Sequence, residues 1–185
     1  MKRKIVILVA AAATTMALPQ HALGEERVCR GTIGARTLDN VKVPQGATCI
    51  LKRTKVKGTI KVQRGARLEA IAVNVIGNVQ GENARNVIVR KRSRVGGSVQ
   101  VVQGRKARVA FSRVKGDILY DDQSRRVIAR RNRVGGNVQA FQNRGGVRIR
   151  GNVIDGNLQC KENRPAPTGG NNRVEGNKED QCKKL

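Results

Sequence analysis

Seven glycines recur at nearly constant spacing: Gly58, Gly77, Gly97, Gly116, Gly136, Gly156 and Gly176, in steps of 19 or 20 residues. Each sits in the same short pattern: an apolar residue, any residue, glycine, a small polar residue, an apolar residue. Asp39 takes the glycine position in a degenerate first copy, 19 residues before Gly58. A period of this length marks an array of one structural unit that stacks on its own neighbours.

Aligning the copies on the glycine produces columns of uniform chemistry. Two residues before it stand Val56, Val75, Val95, Val114, Val134, Ile154 and Val174. Two after it stand Val41, Ile60, Val79, Val99, Ile118, Val138 and Leu158, and four after it Val43, Val62, Gly81, Val101, Tyr120, Ala140 and Cys160. A further apolar pair closes most copies, as in Val87–Val89, Val127–Ala129 and Val147–Ile149. Spacing by two is the period of a strand, whereas a helical solenoid needs apolar residues three and four apart. Short strands and turns in copies this small can stack only if each coil pairs with the next in parallel sheets. The sequence therefore predicts a single-domain, all-β, right-handed parallel β-helix (β-solenoid) with coils of 19–20 residues. Only Phe111, Tyr120 and Phe141 are aromatic, which suits a thin Val/Ile core better than an ordinary globular one.

Two polar columns accompany the apolar ones. Thr54, Ser93, Ser112, Asn132, Asn152 and Asn172 lie four before the glycine; Thr59, Asn78, Ser98, Asn137, Asn157 and Asn177 lie just after it. Short side chains that hydrogen-bond along a stack are what the turns of such coils need, so both columns read as structural rather than ligand-binding.

Residues 1–24 read as a signal peptide. Lys2, Arg3 and Lys4 precede an apolar stretch from Ile5 to Leu18, and Ala22 and Gly24 fit a cleavage site. The apolar run is shorter than a bilayer span requires, and no second one follows. The expected mature domain is 25–185, secreted to the cell surface, periplasm or medium, with no transmembrane segment after processing. Its four cysteines then read as disulfides. Cys29 and Cys49 are 20 residues apart, one coil, and Cys160 and Cys182 are 22 apart. This spacing predicts one cross-link at each end of the stack, with Pro165, Pro167, Gly169 and Gly170 bulging the last turn. The absence of close CxxC pairs argues against zinc.

The repeat resembles a group of small exported bacterial proteins of unknown function that carry β-helix repeats. The resemblance is carried by Gly-Asn-[VIL]-Gln copies and by the segment from Gly156 to Cys182. It covers nearly all of the mature chain and implies a bacterial origin, but no activity. More loosely, the copies are similar to bactofilins, the polymer-forming β-helices, and to pectin-lyase-like right-handed β-helices. Bactofilins differ from this chain in lacking a leader, cysteines and an even basic charge.

Likeness to the lyases raises the question of catalysis. Asp117, Asp121 and Asp122 form a local concentration of acids in the middle of the repeats. By alignment, Asp117 falls between Ser98 and Asn137, Asp121 between Val102 and Phe141, and Asp122 between Gln103 and Gln142. None of them gains a stacked acidic neighbour to hold calcium. The one histidine, His21, belongs to the leader, which removes histidine-based nucleophilic and zinc chemistry from the mature domain. No cofactor and no metal site are expected, and a polysaccharide lyase or hydrolase is the least favoured function.

Charge is the remaining signal. The 38 Lys and Arg outnumber 13 Asp and Glu, and removing three basic leader residues still leaves 35 against 13. Three before the glycine stand Lys55, Arg94, Arg113, Arg133 and Arg173, interrupted by Asn74 and Val153. Alternation turns that column outward, with Arg94, Arg113 and Arg133 on consecutive coils. Arg125, Arg126, Arg130 and Arg131 add a second basic group. Arginine suits bidentate contact with phosphate and carboxylate groups. The expected partner is an anionic cell-envelope polymer or acidic polysaccharide. Sequence-specific nucleic acid recognition is not expected, since base-stacking aromatics are scarce. The competing readings are a solvated surface that keeps stacked sheets soluble, and a purely structural or self-assembling rod.

Overall fold

The computed structural model describes residues 25–185; the leader expected over 1–24 lies outside the described residues. The described chain is built of short strands joined by turns, without a helix, and winds through about eight coils of a parallel β-helix. Successive coils contribute one strand each to three sheets of nine, eight and eight strands. Sheet A runs from Glu26–Val28 to Lys178–Asp180, sheet B from Gly31–Ile33 to Thr168–Gly170, and sheet C from Thr37–Leu38 to Arg173–Val174. Every strand pairs in parallel with the strand one coil away.

The apolar columns read from the repeat are the core. In sheet A, Val99 lies opposite Ile118, which lies opposite Val138, and Val101 opposite Tyr120, which lies opposite Ala140. Val87, Ala107, Val127 and Val147 continue one another in sheet B, and Val95, Val114, Val134 and Ile154 in sheet C. All of these side chains are buried. β-Branched residues favour the extended backbone and fill a thin core, which is why a chain almost without aromatics can hold this shape. Tyr120 is the exception in size. Its hydroxyl crosses the core, donating to Ile128 O at 2.9 Å and accepting from Val109 N–H at 3.1 Å, and burial pushes its pKa well above the ordinary tyrosine value.

The recurring glycine has a steric cause. Gly136 N–H donates to Gly116 O one coil back, and Gly156 N–H to Gly136 O. A Cβ at Gly136 would collide with the Asp117 carboxylate and the Gly116 backbone, and one at Gly97 would collide with the Asn78 amide and the Gly77 carbonyl. Each glycine therefore makes room for the polar side chain of the coil before it. Asp39 stands at the first such position, where its carboxylate lies 3.1 Å from Lys57 Nζ.

Both polar columns are structural. In the inner one, Asn132 Nδ2 donates to Val109 O and to Asn152 Oδ1, and Asn152 Nδ2 donates to Ala129 O and to Asn172 Oδ1. In the column after the glycine, each side chain accepts the backbone N–H of its counterpart one coil on, as Asn137 Oδ1 does from Asn157. A third ladder, which the repeat alignment did not single out, turns the corner between sheets A and B: Gln123, Asn143, Asn163 and Gln181.

Cys29 is bonded to Cys49 and Cys160 to Cys182, one bridge near each end. The expected bulge at Pro165–Gly170 is not what lengthens the second loop. Thr168–Gly170 pairs in register with Arg148–Arg150 as the last strand of sheet B. Cys160 faces Asp180, 20 residues on, so the two extra residues lie in the turn after the final strand. That turn brings Cys182 and Leu185, both buried, over the end of the core.

Candidate functional site

The outward faces of the three sheets differ in chemistry. On sheet C the outward residues run Thr37, Lys55, Asn74, Arg94, Arg113, Arg133, Val153 and Arg173 in continuous register. Arg94, Arg113 and Arg133 are all exposed and lie on adjacent coils, about 4.8 Å apart along the stack. Lys55 and Arg173 are each separated from this trio by one coil whose residue at this position is uncharged, Asn74 or Val153. At that spacing two full charges in water repel by about 0.8 kcal/mol.

Arg130 ends its sheet B strand, and Arg131 makes the corner into sheet C with a left-handed backbone, φ 50°. Both guanidinium carbons stand 5.6 Å from the ring centre of Phe111, the corner residue of the preceding coil. The fold thus gathers Arg130, Arg131 and Arg133 with Arg113 along one edge. Arg125 and Arg126 lie elsewhere: they precede Val127–Arg130 and sit at the opposite edge of sheet B, both exposed.

Sheet A contrasts with this flank. Its outward column begins with Val28, Lys42 and Lys61, continues through Gln80, Gln100, Leu119, Gln139 and Gln159, and ends on Glu179. Gln139 donates to Gln159 and Gln159 to Glu179, both at 2.8 Å. An open groove of about 840 Å³ over the first coils of this sheet is lined by both signs of charge, including Glu26, Lys61 and Glu82. From residue 83 to 150 the chain carries 18 Lys and Arg against three acids. None of the 18 lies on the outward face of sheet A.

The three ion pairs among the described residues are Lys42–Glu26, Lys57–Asp39 and Arg90–Glu69, all in the early coils. From Lys91 to Arg150 no basic side chain comes within 4.0 Å of a carboxylate, though 16 are present. The three acids of that stretch are placed where alignment put them. Asp117 is a rung of the ladder after the glycine: its N–H donates to Ser98 Oγ at 2.9 Å and its Oδ1 accepts from Asn137 N–H at 2.6 Å. Asp121 faces Val102 and Phe141 in sheet A, and Asp122 follows at the corner. Burial, and then the neighbouring Asp122 charge, hold the Asp121 carboxyl above the usual aspartate range. Among the described residues no three His, Cys, Asp or Glu side chains gather as they would around a metal ion.

No family model matches the chain, and no curated protein or solved structure matches it either. The geometry therefore stands alone as the guide to function. Phe111 belongs to that geometry and was not singled out by the repeat. Its signal was present in the sequence as the one aromatic among the residues preceding the inner polar column, whose other members include Arg53, Ala72, Arg92 and Arg131.

Proposed function

We propose that the protein is an exported, non-enzymatic β-helix of the bacterial envelope or medium whose arginine-lined flank holds anionic polymers. The observation that carries this reading is the run of 16 basic side chains between Lys91 and Arg150 without a carboxylate partner, arranged on sheets B and C and at the corners. Stacked like charges work against folding, and a bound polyanion relieves that cost by replacing many loosely held counterions at once. Two disulfides accord with an oxidising compartment. The even, one-per-coil spacing of Arg94, Arg113 and Arg133 suits an extended polymer lying along the rod, and guanidinium groups take phosphate or carboxylate in bidentate fashion.

The test is binding to a panel of wall polymers, lipopolysaccharide, acidic polysaccharides and DNA across a salt titration. Tight binding of one class that survives about 0.15 M salt is expected, and the Arg94→Gln/Arg113→Gln/Arg133→Gln variant should lose it with a salt slope lowered by roughly 2–3. Weak binding of every polymer alike, lost at modest salt, would reduce the charge to a solvated surface.

A further inference from the structure

The outward face of sheet B breaks the rule that a solvent-facing strand position is polar. In parallel register, its middle row reads Ile88, Arg108, Ile128, Arg148. The row beside it reads Ile71, Arg90, Ala110, Arg130, Arg150. Aliphatic and guanidinium side chains thus alternate coil by coil through most of both rows. Ile88 and Ile128 are half-buried, although they point away from the core.

The ridge bounding this face carries Phe111, 40% exposed, with a left-handed φ of 52°. The other coils turn this corner left-handed too, at Arg53, Ala72, Arg92, Arg131, Gly151 and Asn171, of which the last two are residue types that accept this backbone readily. A bulky phenyl there is held against local preference, and it does not enter the core. At the centre of the face, Arg108 Nε is covered by its neighbours and has no hydrogen-bond acceptor. Glu69, the face's one acid, is already engaged by Arg90 at 2.6 Å.

We infer that the outward face of sheet B, with the Phe111 ridge, docks on the surface of an anionic lipid bilayer. This inference rests on the polyanion reading for its arginines but adds residues that reading does not use. A hydrophilic polymer gains nothing from Ile88, Ile128 and Phe111. The interfacial zone of an anionic bilayer presents phosphate oxygens and aliphatic chains within a few ångströms of each other, which is the alternation this face displays. The guanidinium groups take lipid phosphates. The isoleucines and Phe111 settle at the level of the glycerol and upper acyl carbons. Sheet C, whose basic trio has no apolar residue interposed, stays free for soluble polymer.

The experiment compares disulfide-bonded wild-type protein with an Ile88→Thr/Ile128→Thr/Phe111→Ser variant of the same net charge and N-terminus. Both are sedimented with vesicles of phosphatidylcholine containing about 30% phosphatidylglycerol, and titrated in parallel with soluble inorganic polyphosphate. Vesicle partitioning is expected to fall at least 10-fold in the variant while polyphosphate affinity stays within about 2-fold. Equal vesicle binding by both proteins overturns the inference, as does a parallel loss on both ligands. Wild-type protein that takes up polyphosphate but not vesicles overturns the inference and leaves the polymer reading standing; binding to neither ligand removes both. Independently, the chain contains no tryptophan, so Phe111→Trp supplies a single reporter. Its emission should shift to the blue on anionic vesicles and be quenched by lipids brominated near the headgroup. Emission unchanged by bound vesicles places the ridge away from the bilayer and overturns the docking geometry.

Discussion

Asn152 Oδ1 accepts two hydrogen bonds from the residue one coil before it, from the Asn132 backbone N–H and from Asn132 Nδ2, each at 3.0 Å. Both residues are buried. A single side chain thereby satisfies a turn's backbone and its neighbour's amide together. Asn152→Ala removes the acceptor of the Asn132 backbone N–H and one of the two acceptors of Asn132 Nδ2, and takes a donor from Ala129 O and from Asn172 Oδ1, at about 1–3 kcal/mol for each group that water cannot reach. Urea unfolding should register a loss of about 3–5 kcal/mol. A loss under about 1 kcal/mol would mean that water enters the corner and replaces the amide.

The glycine column predicts a sharp positional contrast. Gly136→Ala forces the Asp117 carboxylate and the Gly116 backbone apart and should cost about 1–3 kcal/mol. Gly34→Ala, where no heavy atom lies within 4 Å and φ is ordinary, should stay within about 0.5 kcal/mol of wild type. Comparable thermal shifts for the two variants would contradict the steric account of the repeat.

Arg113 sits in register between Arg94 and Arg133 with no carboxylate partner. Removing its charge should stabilise the free protein. We expect Arg113→Gln to gain about 0.5–1 kcal/mol at low ionic strength, a gain that disappears near 0.5 M salt as screening takes over. Chemical denaturation at two salt concentrations checks this. A loss of stability at both would show that the arginine stem's packing outweighs the repulsion.

Asp121 supplies a pH dependence of defined sign. Its carboxyl is held above the ordinary aspartate value in the folded protein, so the folded state keeps its proton to higher pH than the unfolded chain does. Stability from this group is therefore lost as pH rises from the ordinary aspartate pKa, about 3.9, through the raised folded value. Asp121→Asn should raise the melting temperature at pH 7, and the difference from wild type should shrink to nothing as pH falls below about 3.5. A difference that persists unchanged at pH 3 would assign the effect to packing against Phe141 instead.

Much of the basic flank was legible before any coordinates. Arg94, Arg113 and Arg133 each stand three residues before a repeat glycine, and strand alternation alone turns that position outward. Phe111, Arg130 and Arg131 were harder to associate, because their proximity depends on where the chain turns between sheets B and C. The Gln123–Asn143–Asn163 ladder lies outside the glycine motif, its members a constant 13 residues before Gly136, Gly156 and Gly176. A polar residue that far from the anchoring motif carries no mark of burial until the coil's path is known.

By itself the sequence determined the period, the identity of the core columns and the pairing of the cysteines. Each of these follows from a local rule repeated once per coil: two-residue alternation, one glycine where coils touch, and cysteines about one coil apart. The division of the surface into a neutral amide face, a basic trio on sheet C and an Ile–Arg face on sheet B was decided only by tertiary structure. A linear chain holds Ile88 and Arg108 20 residues apart. Only parallel pairing, by setting strand on strand at about 4.8 Å, makes them neighbours and turns a basic composition into a patterned face.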